Sequence, residues 1–160
     1  MAFDAFIKFD GIDGEATEAK HSKWIDVNSF HWGATHHADT IGRAHSSGKA
    51  TVEAFSFSKV TDASSPKLAL ACCTGEHIKQ AEINFSQSTG ERLVWMSYKL
   101  YDCLISGFHI SGTREGVDRP QEEVSITFSK WEVKYQPTDN KGKLGGAIPA
   151  GYDLELNKKV

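Results

Sequence analysis

Apolar and polar residues alternate with a period of two through most of this chain, and that pattern restricts it to half-buried β-strands. Ala5, Ile7 and Phe9 share one face of a first segment, which the turn formers Gly11, Asp13 and Gly14 then close. Residues 24–32 alternate again, with Ile25 and Val27 on one side and Trp24, Phe30 and Trp32 on the other. The segments 51–57, 81–85, 93–101 and 104–110 repeat the pattern, and Gln87-Ser88-Thr89-Gly90 is a hairpin turn between two of them. Residues 152–156 alternate once more and are expected to form a closing strand.

The phase of the pattern reverses within residues 123–135. Val124, Ile126 and Phe128 have one parity, whereas Trp131, Val133 and Tyr135 have the other. A regular strand cannot keep both triplets on one face. Either a bulge near Ser129 and Lys130 resets the register, or the strand leaves one sheet and joins another. Both devices suit a sheet that curls. The expectation is a mainly-β chain: a small β-barrel of two curled antiparallel sheets, spanning residues 1–160 as one domain.

One short helix interrupts the strands. Ser65 is placed to cap it, with Pro66 at the first helical position, where a missing N–H costs nothing. Leu68-Ala69-Leu70-Ala71-Cys72-Cys73 follows, and Gly75 stands at the expected C-terminal cap. Being apolar nearly all round, the helix is expected to be buried against the barrel. Residues 33–48 form a long polar connection between two strands, and such loops are often functional.

Chemistry-bearing patterns are weak. His31, His36, His37 and His45 cluster around the long connection, but no cysteine pair lies near them and no H-E-x-x-H spacing occurs, so no metal site is expected. Three cysteines, two of them adjacent, do not make a disulfide framework; Cys72, Cys73 and Cys103 read as small core residues of a chain made in a reducing cytoplasm. The acidic turn at 10–15 lacks the ligand spacing of a calcium loop, and Gly48-Lys49 lacks the remaining residues of a phosphate loop. There is no nucleophile elbow. Neither catalytic residue nor cofactor is expected. The formal charge of −3 argues against nucleic acid. No apolar run reaches the ~20 residues of a membrane helix, and the N-terminus does not resemble a Sec-type signal peptide.

Several segments, in order across most of the chain, resemble the Hcp family, the inner-tube proteins of type VI secretion systems. They are Asp4–Glu15 with its Gly14-Glu15 turn, Trp24–Gly33 with its aromatic end, Phe57–Leu68 with Lys59, Asp62, Ser65 and Pro66, Ala71–Gly75, and Tyr135-Gln136-Pro137. The resemblance implies hexameric rings that stack into a hollow tube, driven with a spike by a contractile sheath from a baseplate. It implies a lumen that holds small effector proteins, and secretion after cytoplasmic assembly. It also implies that the 33–48 connection helps rings stack, which makes His36, His37, Arg43 and His45 its candidate contact residues. His31, at the aromatic end of the second strand, is the candidate lumen residue. Some relatives carry toxic C-terminal extensions, and none is expected in the few residues after Tyr135. A different class remains open beside this one: a monomeric β-sandwich binding module, for example for carbohydrate, using Trp24, Trp32, Trp95 and Trp131 as exposed platforms. A third reading, weaker than both, is an enzyme whose site is assembled from the loop histidines.

Overall fold

The computed structural model describes every residue except 1, 37, 40–45, 48, 89, 91 and 117. The chain runs through β1 (Phe3–Phe9), β2 (Ile25–Val27), β3 (Ser29–His31), β4 (Ala34–Thr35), β5 (Ala38–Asp39), β6 (Ser46–Ser47), β7 (Thr51–Val52), β8 (Phe55–Val60) and α1 (Ser65–Thr74). It continues through β9 (His77–Gln87), β10 (Val94–Ser111), β11 (Gln121–Thr127), β12 (Lys130–Tyr135), β13 (Ile148–Asp153) and β14 (Lys158–Lys159). Ten of these strands form one antiparallel network, and β10 divides it into two curled sheets. The first half of β10 lies between β9 and β12, with β1 and β2 beyond β9 and β13 and β14 beyond β12. Its second half pairs with β11, followed by β8 and β3.

The mainly-β class is as expected, but among the described residues the ladders do not close into a barrel. β2 ends on β1 and β3 on β8, and the chain steps from one sheet to the other at Asn28, whose N–H donates to Ser58 O at 2.8 Å. The single alternating strand expected over 24–32 is therefore two strands.

The phase reversal is real, and it is shared by three strands. Leu100 and Cys103 are both buried although three residues apart, and Asp102 between them takes a left-handed φ of 52°. Their partners on β9, Ala81 and Ile78, are buried in the same way. On the other edge of β10, Ile126 pairs with Ile105 and Trp131 with Leu100, while Ser129 leaves the ladder and donates its N–H to Tyr101 O at 3.0 Å. The strand thus changes sheets: β11 pairs with β8 and β12 with β13. Segments 93–101 and 104–110, which look separate in sequence, are one strand. The closing strand lies earlier than expected, since β13 ends at Asp153 and residues 154–157 turn into β14.

The core lies between the sheets and includes Ile7, Phe9, Ile25, Phe55, Phe57, Ile83, Leu100, Ile105 and Ile126, all almost fully buried. Each such side chain contributes about 1.5–3 kcal/mol by leaving water. Both faces of β1 are covered. Phe6 stacks flat on the buried His21, centroids 4.4 Å apart, and His21 is held by Glu18 and by Asn84 Nδ2 at 3.1 Å. Gly14 lets this strap close, since a Cβ there would sit 2.4 Å from Trp24 O.

The helix ends as expected at Gly75 (φ 69°), whose N–H donates to Ala71 O at 3.0 Å. Its N-cap is Ser64 rather than Ser65, and only one face is buried: Leu68 and Ala71 point inward while Leu70 is 61% exposed. Ser65 has a different task. Its Oγ accepts from Asp62 N–H and from Lys59 Nζ (2.9 Å) and donates to Glu122 Oε1 (2.8 Å). Lys59, fully buried, pairs with Glu122 at 2.8 Å and Asp62 at 2.9 Å, and Thr61 Oγ1 donates to the second Glu122 oxygen at 2.7 Å. Lys59 and Glu122 are direct cross-strand partners, so the cluster joins β8, β11 and α1.

Removing one member of a buried ion pair strands the other charge, at a cost of about 3–5 kcal/mol. Lys59→Met is expected to destabilise the chain by about that amount in urea titration. The double variant Lys59→Met/Glu122→Leu is expected to regain most of it, because apolar side chains of similar volume replace both charges. A Lys59→Met protein as stable as the parent would show that the cluster is not fully desolvated.

Candidate functional site: a polar sheet face

The sheet of β3, β8, β11 and the second half of β10 has two faces of opposite character. Inward, cross-strand rows are apolar: Phe30, Phe57, Val124 and Phe108 in one, Phe55, Ile126 and Ile105 in the next. Outward, the neighbouring rows are Ser29, Ser58, Glu123 and His109, then His31, Ser56, Ser125 and Gly107. The alternation Phe55-Ser56-Phe57-Ser58 produces this division directly, because successive side chains leave opposite faces of a strand. The serines pair among themselves, Ser29 with Ser58 at 2.5 Å and Ser56 with Ser125 at 3.1 Å. The result is a shallow depression lined by these hydroxyls with Phe30, Phe57 and Glu123, and with a histidine at either side.

His31 is exposed (75%), with Nδ1 3.6 Å from Glu53 Oε2. It is therefore free to meet a ligand and does not hold the fold together. The connection after it is an extended arm with ladder pairing of its own: Ala34 and Thr35 pair with Val52 and Thr51, and Ala38 and Asp39 with Ser47 and Ser46. His36 is exposed on that arm; His37, Arg43 and His45 lie outside the described residues. Among the described residues no three His, Cys, Asp or Glu side chains come together as a metal site.

Other chemistry-bearing residues meet in ways the sequence order hides. His77 Nδ1 lies 2.8 Å from Asp102 Oδ1 across β9 and β10, both exposed. Ser129 lines the same surface depression, and its hydroxyl donates to Tyr101 O at 3.3 Å rather than to the couple. Burial raises the Tyr101 hydroxyl to about 12, helped by its hydrogen bond to Glu132 at 3.0 Å. The four tryptophans are all half-buried rather than open platforms. Trp32 packs on Tyr98, Phe128 and Trp131, Trp95 on Phe3, Phe85 and Tyr135, and Trp24 against His21. The stacked-sugar reading lacks its platform. Sequence reasoning found His31 but missed Glu53, His109, Glu123 and the serines. Their signal was present once the inward face was assigned, since every second residue of residues 55–60 and 121–127 had to face outward.

Comparison with known proteins agrees with this geometry. The model of the family described as "Type VI secretion system effector, Hcp" matches residues 6–135. The protein hcp1 of Pseudomonas aeruginosa is 34% identical over 160 residues, covering 98% of each chain. A solved structure described as a type six secretion system protein is 36% identical, with a TM-score of 0.95 over 99% of this chain and 100% of that one. Hcp1 from Salmonella typhimurium is 33% identical, with a TM-score of 0.83 over the whole of both chains.

The three thiols differ in environment. Cys73 is exposed, Cys72 half-buried, and Cys103 buried, which pushes its thiol up to about 12. A thiol-reactive chromogenic disulfide at neutral pH is expected to modify Cys73 first, Cys72 more slowly, and Cys103 only after unfolding, because the thiolate is the reactive form. Release of all three equivalents from folded protein in one fast phase would contradict the burial of Cys103.

Proposed function

The chain belongs to the Hcp family of type VI secretion proteins, and from that premise we propose that it is the subunit of a six-membered ring that stacks into the inner tube. The observation that carries this reading is the division of labour over the surface. The sheet face of serines and histidines has no large apolar side chain in its outer rows, whereas a contiguous aromatic patch is exposed beside it, beginning at Phe30. Phe3 (49% exposed) meets Phe30 (41%) and Trp95, and Trp95 meets Tyr135 (41%), at centroid distances of 6.2–6.3 Å. An exposed aromatic patch of this kind marks a protein interface. Rings arise when such a contact is heterologous and its rotation closes.

In this arrangement the polar sheet face lines the lumen, with His31 toward small effector cargo. The 33–48 arm reaches the next ring, with His36, His37, Arg43 and His45 as its contact residues. The spike, sheath and baseplate are the remaining partners, and residues 1–160 act as one unit. The role is structural rather than enzymatic, and the protein is assembled in the cytoplasm and then expelled by the secretion machinery.

Gel filtration with light scattering is expected to give about six times the 17.6 kDa chain mass. A stable monomer across micromolar concentrations would contradict the ring. Replacing residues 36–50 by a short Gly/Ser turn, which keeps the Ala34–Val52 pair at the base of the arm, separates ring from tube. Loop closure contributes little to stability, so the melt and the ring mass are expected to stay unchanged while tubes in negative stain and export into the medium are lost. Tubes of normal length from that variant would place the stacking contacts elsewhere.

A further inference from the structure

We propose that the outer face of β3, β8, β11 and β10 selects cargo by charge, taking a segment rich in Lys or Arg whose cations pair with Glu53 and Glu123. This inference rests on the ring reading above, which makes that face the wall of the lumen. Its two outer rows and the adjoining Glu53 carry two carboxylates and no Lys or Arg.

Some other carboxylates of the chain are met by a Lys or Arg: Asp4 by Arg92 at 2.8 Å, Glu15 by Arg119 at 3.3 Å, and Glu122 by Lys59, which it shares with Asp62, at 2.8 Å. On this face, among the described residues, each carboxylate has an imidazole as neighbour instead. His31 stands 3.6 Å from Glu53, and His109 is the cross-strand partner of Glu123. An imidazole, unlike Lys or Arg, carries no permanent positive charge. The relief of the face suits the same guest. Its centre is serine, with hydroxyls already bonded to one another, so nothing tall stands between the carboxylates and a long side chain from above. An acidic guest would meet like charge.

Exposed ion pairs are individually weak and salt-screened. Specific holding therefore comes from repetition of the same two carboxylates around the ring, which makes the second and later contacts intramolecular. Such a wall grips a cationic segment loosely and does not retain anionic ones.

The test uses the full-length assembled protein, with its mass measured in the same buffer, and two fluorescein-labelled unfolded peptides of equal length, one Lys/Arg-rich and one Glu-rich. Fluorescence anisotropy is expected to show binding of the basic peptide only, weakened at least about tenfold in Glu53→Gln/Glu123→Gln rings of unchanged mass. A charge-matched control, Asp118→Asn/Glu155→Gln, alters two exposed carboxylates outside the face and is expected to bind like the parent. Equal loss in the control would assign the binding to overall charge and overturn the proposal. Undiminished binding by the Glu53/Glu123 variant, or preference for the acidic peptide, would overturn it too while leaving the ring intact. A parent protein that runs as a monomer would instead remove the ring reading, and this inference with it.

Discussion

The Lys59 ammonium, wholly buried and held by Glu122, Asp62 and Ser65, is the interaction on which the rest of the structure depends. A buried charge is tolerable only when its partners are close and well placed. Here Glu122 stands directly across the ladder from Lys59, so the pair exists in one register of β8 against β11 and in no other. A slip by one residue would turn Glu122 and its apolar neighbours to the outer face and leave Lys59 in the core without it. Asp62 and Ser65 extend the constraint to the start of α1, so the same ammonium also decides where the helix leaves the sheet.

Register then decides function, because a strand has only two faces. With Lys59 inward, Phe55, Phe57, Val124 and Ile126 are inward as well and build the core. Ser56, Ser58, Glu123 and Ser125 are outward and build the polar wall. The reversal at Asp102 completes the arrangement. It lets one long strand serve two sheets, so that the polar wall and the aromatic patch around Phe3 and Trp95 belong to one rigid network.

Much of this is legible in the sequence, for reasons of period. The strict alternation in 55–59 reads as a two-faced strand, Pro66 and Gly75 bracket the helix, and the change of parity between Phe128 and Trp131 announces a strand that changes sheets. What could not be read depends on distant partners. Lys59 looks like a surface lysine until Glu122 is placed opposite it, and His21 looks like a loop residue until Phe6 and Asn84 are found around it. The unity of β10 was hidden by the left-handed backbone at Asp102, which no local pattern of non-glycine residues signals. The helix looked apolar all round because exposure of Leu70 is set by what stands beside it. In the candidate site, His31 stood out by type and position, whereas Glu53, His109 and Glu123 became visible only through strand register.

Electron cryo-microscopy of the purified protein at side-chain resolution tests this arrangement most directly. A closed six-fold ring is expected, with Ser29, His31, Ser56, Ser58, Glu123 and Ser125 lining the central hole and the Phe3–Trp95–Tyr135 patch covered by a neighbour. A ring whose hole is lined by another surface, with the serine face turned outward or packed against the adjacent subunit, would contradict it.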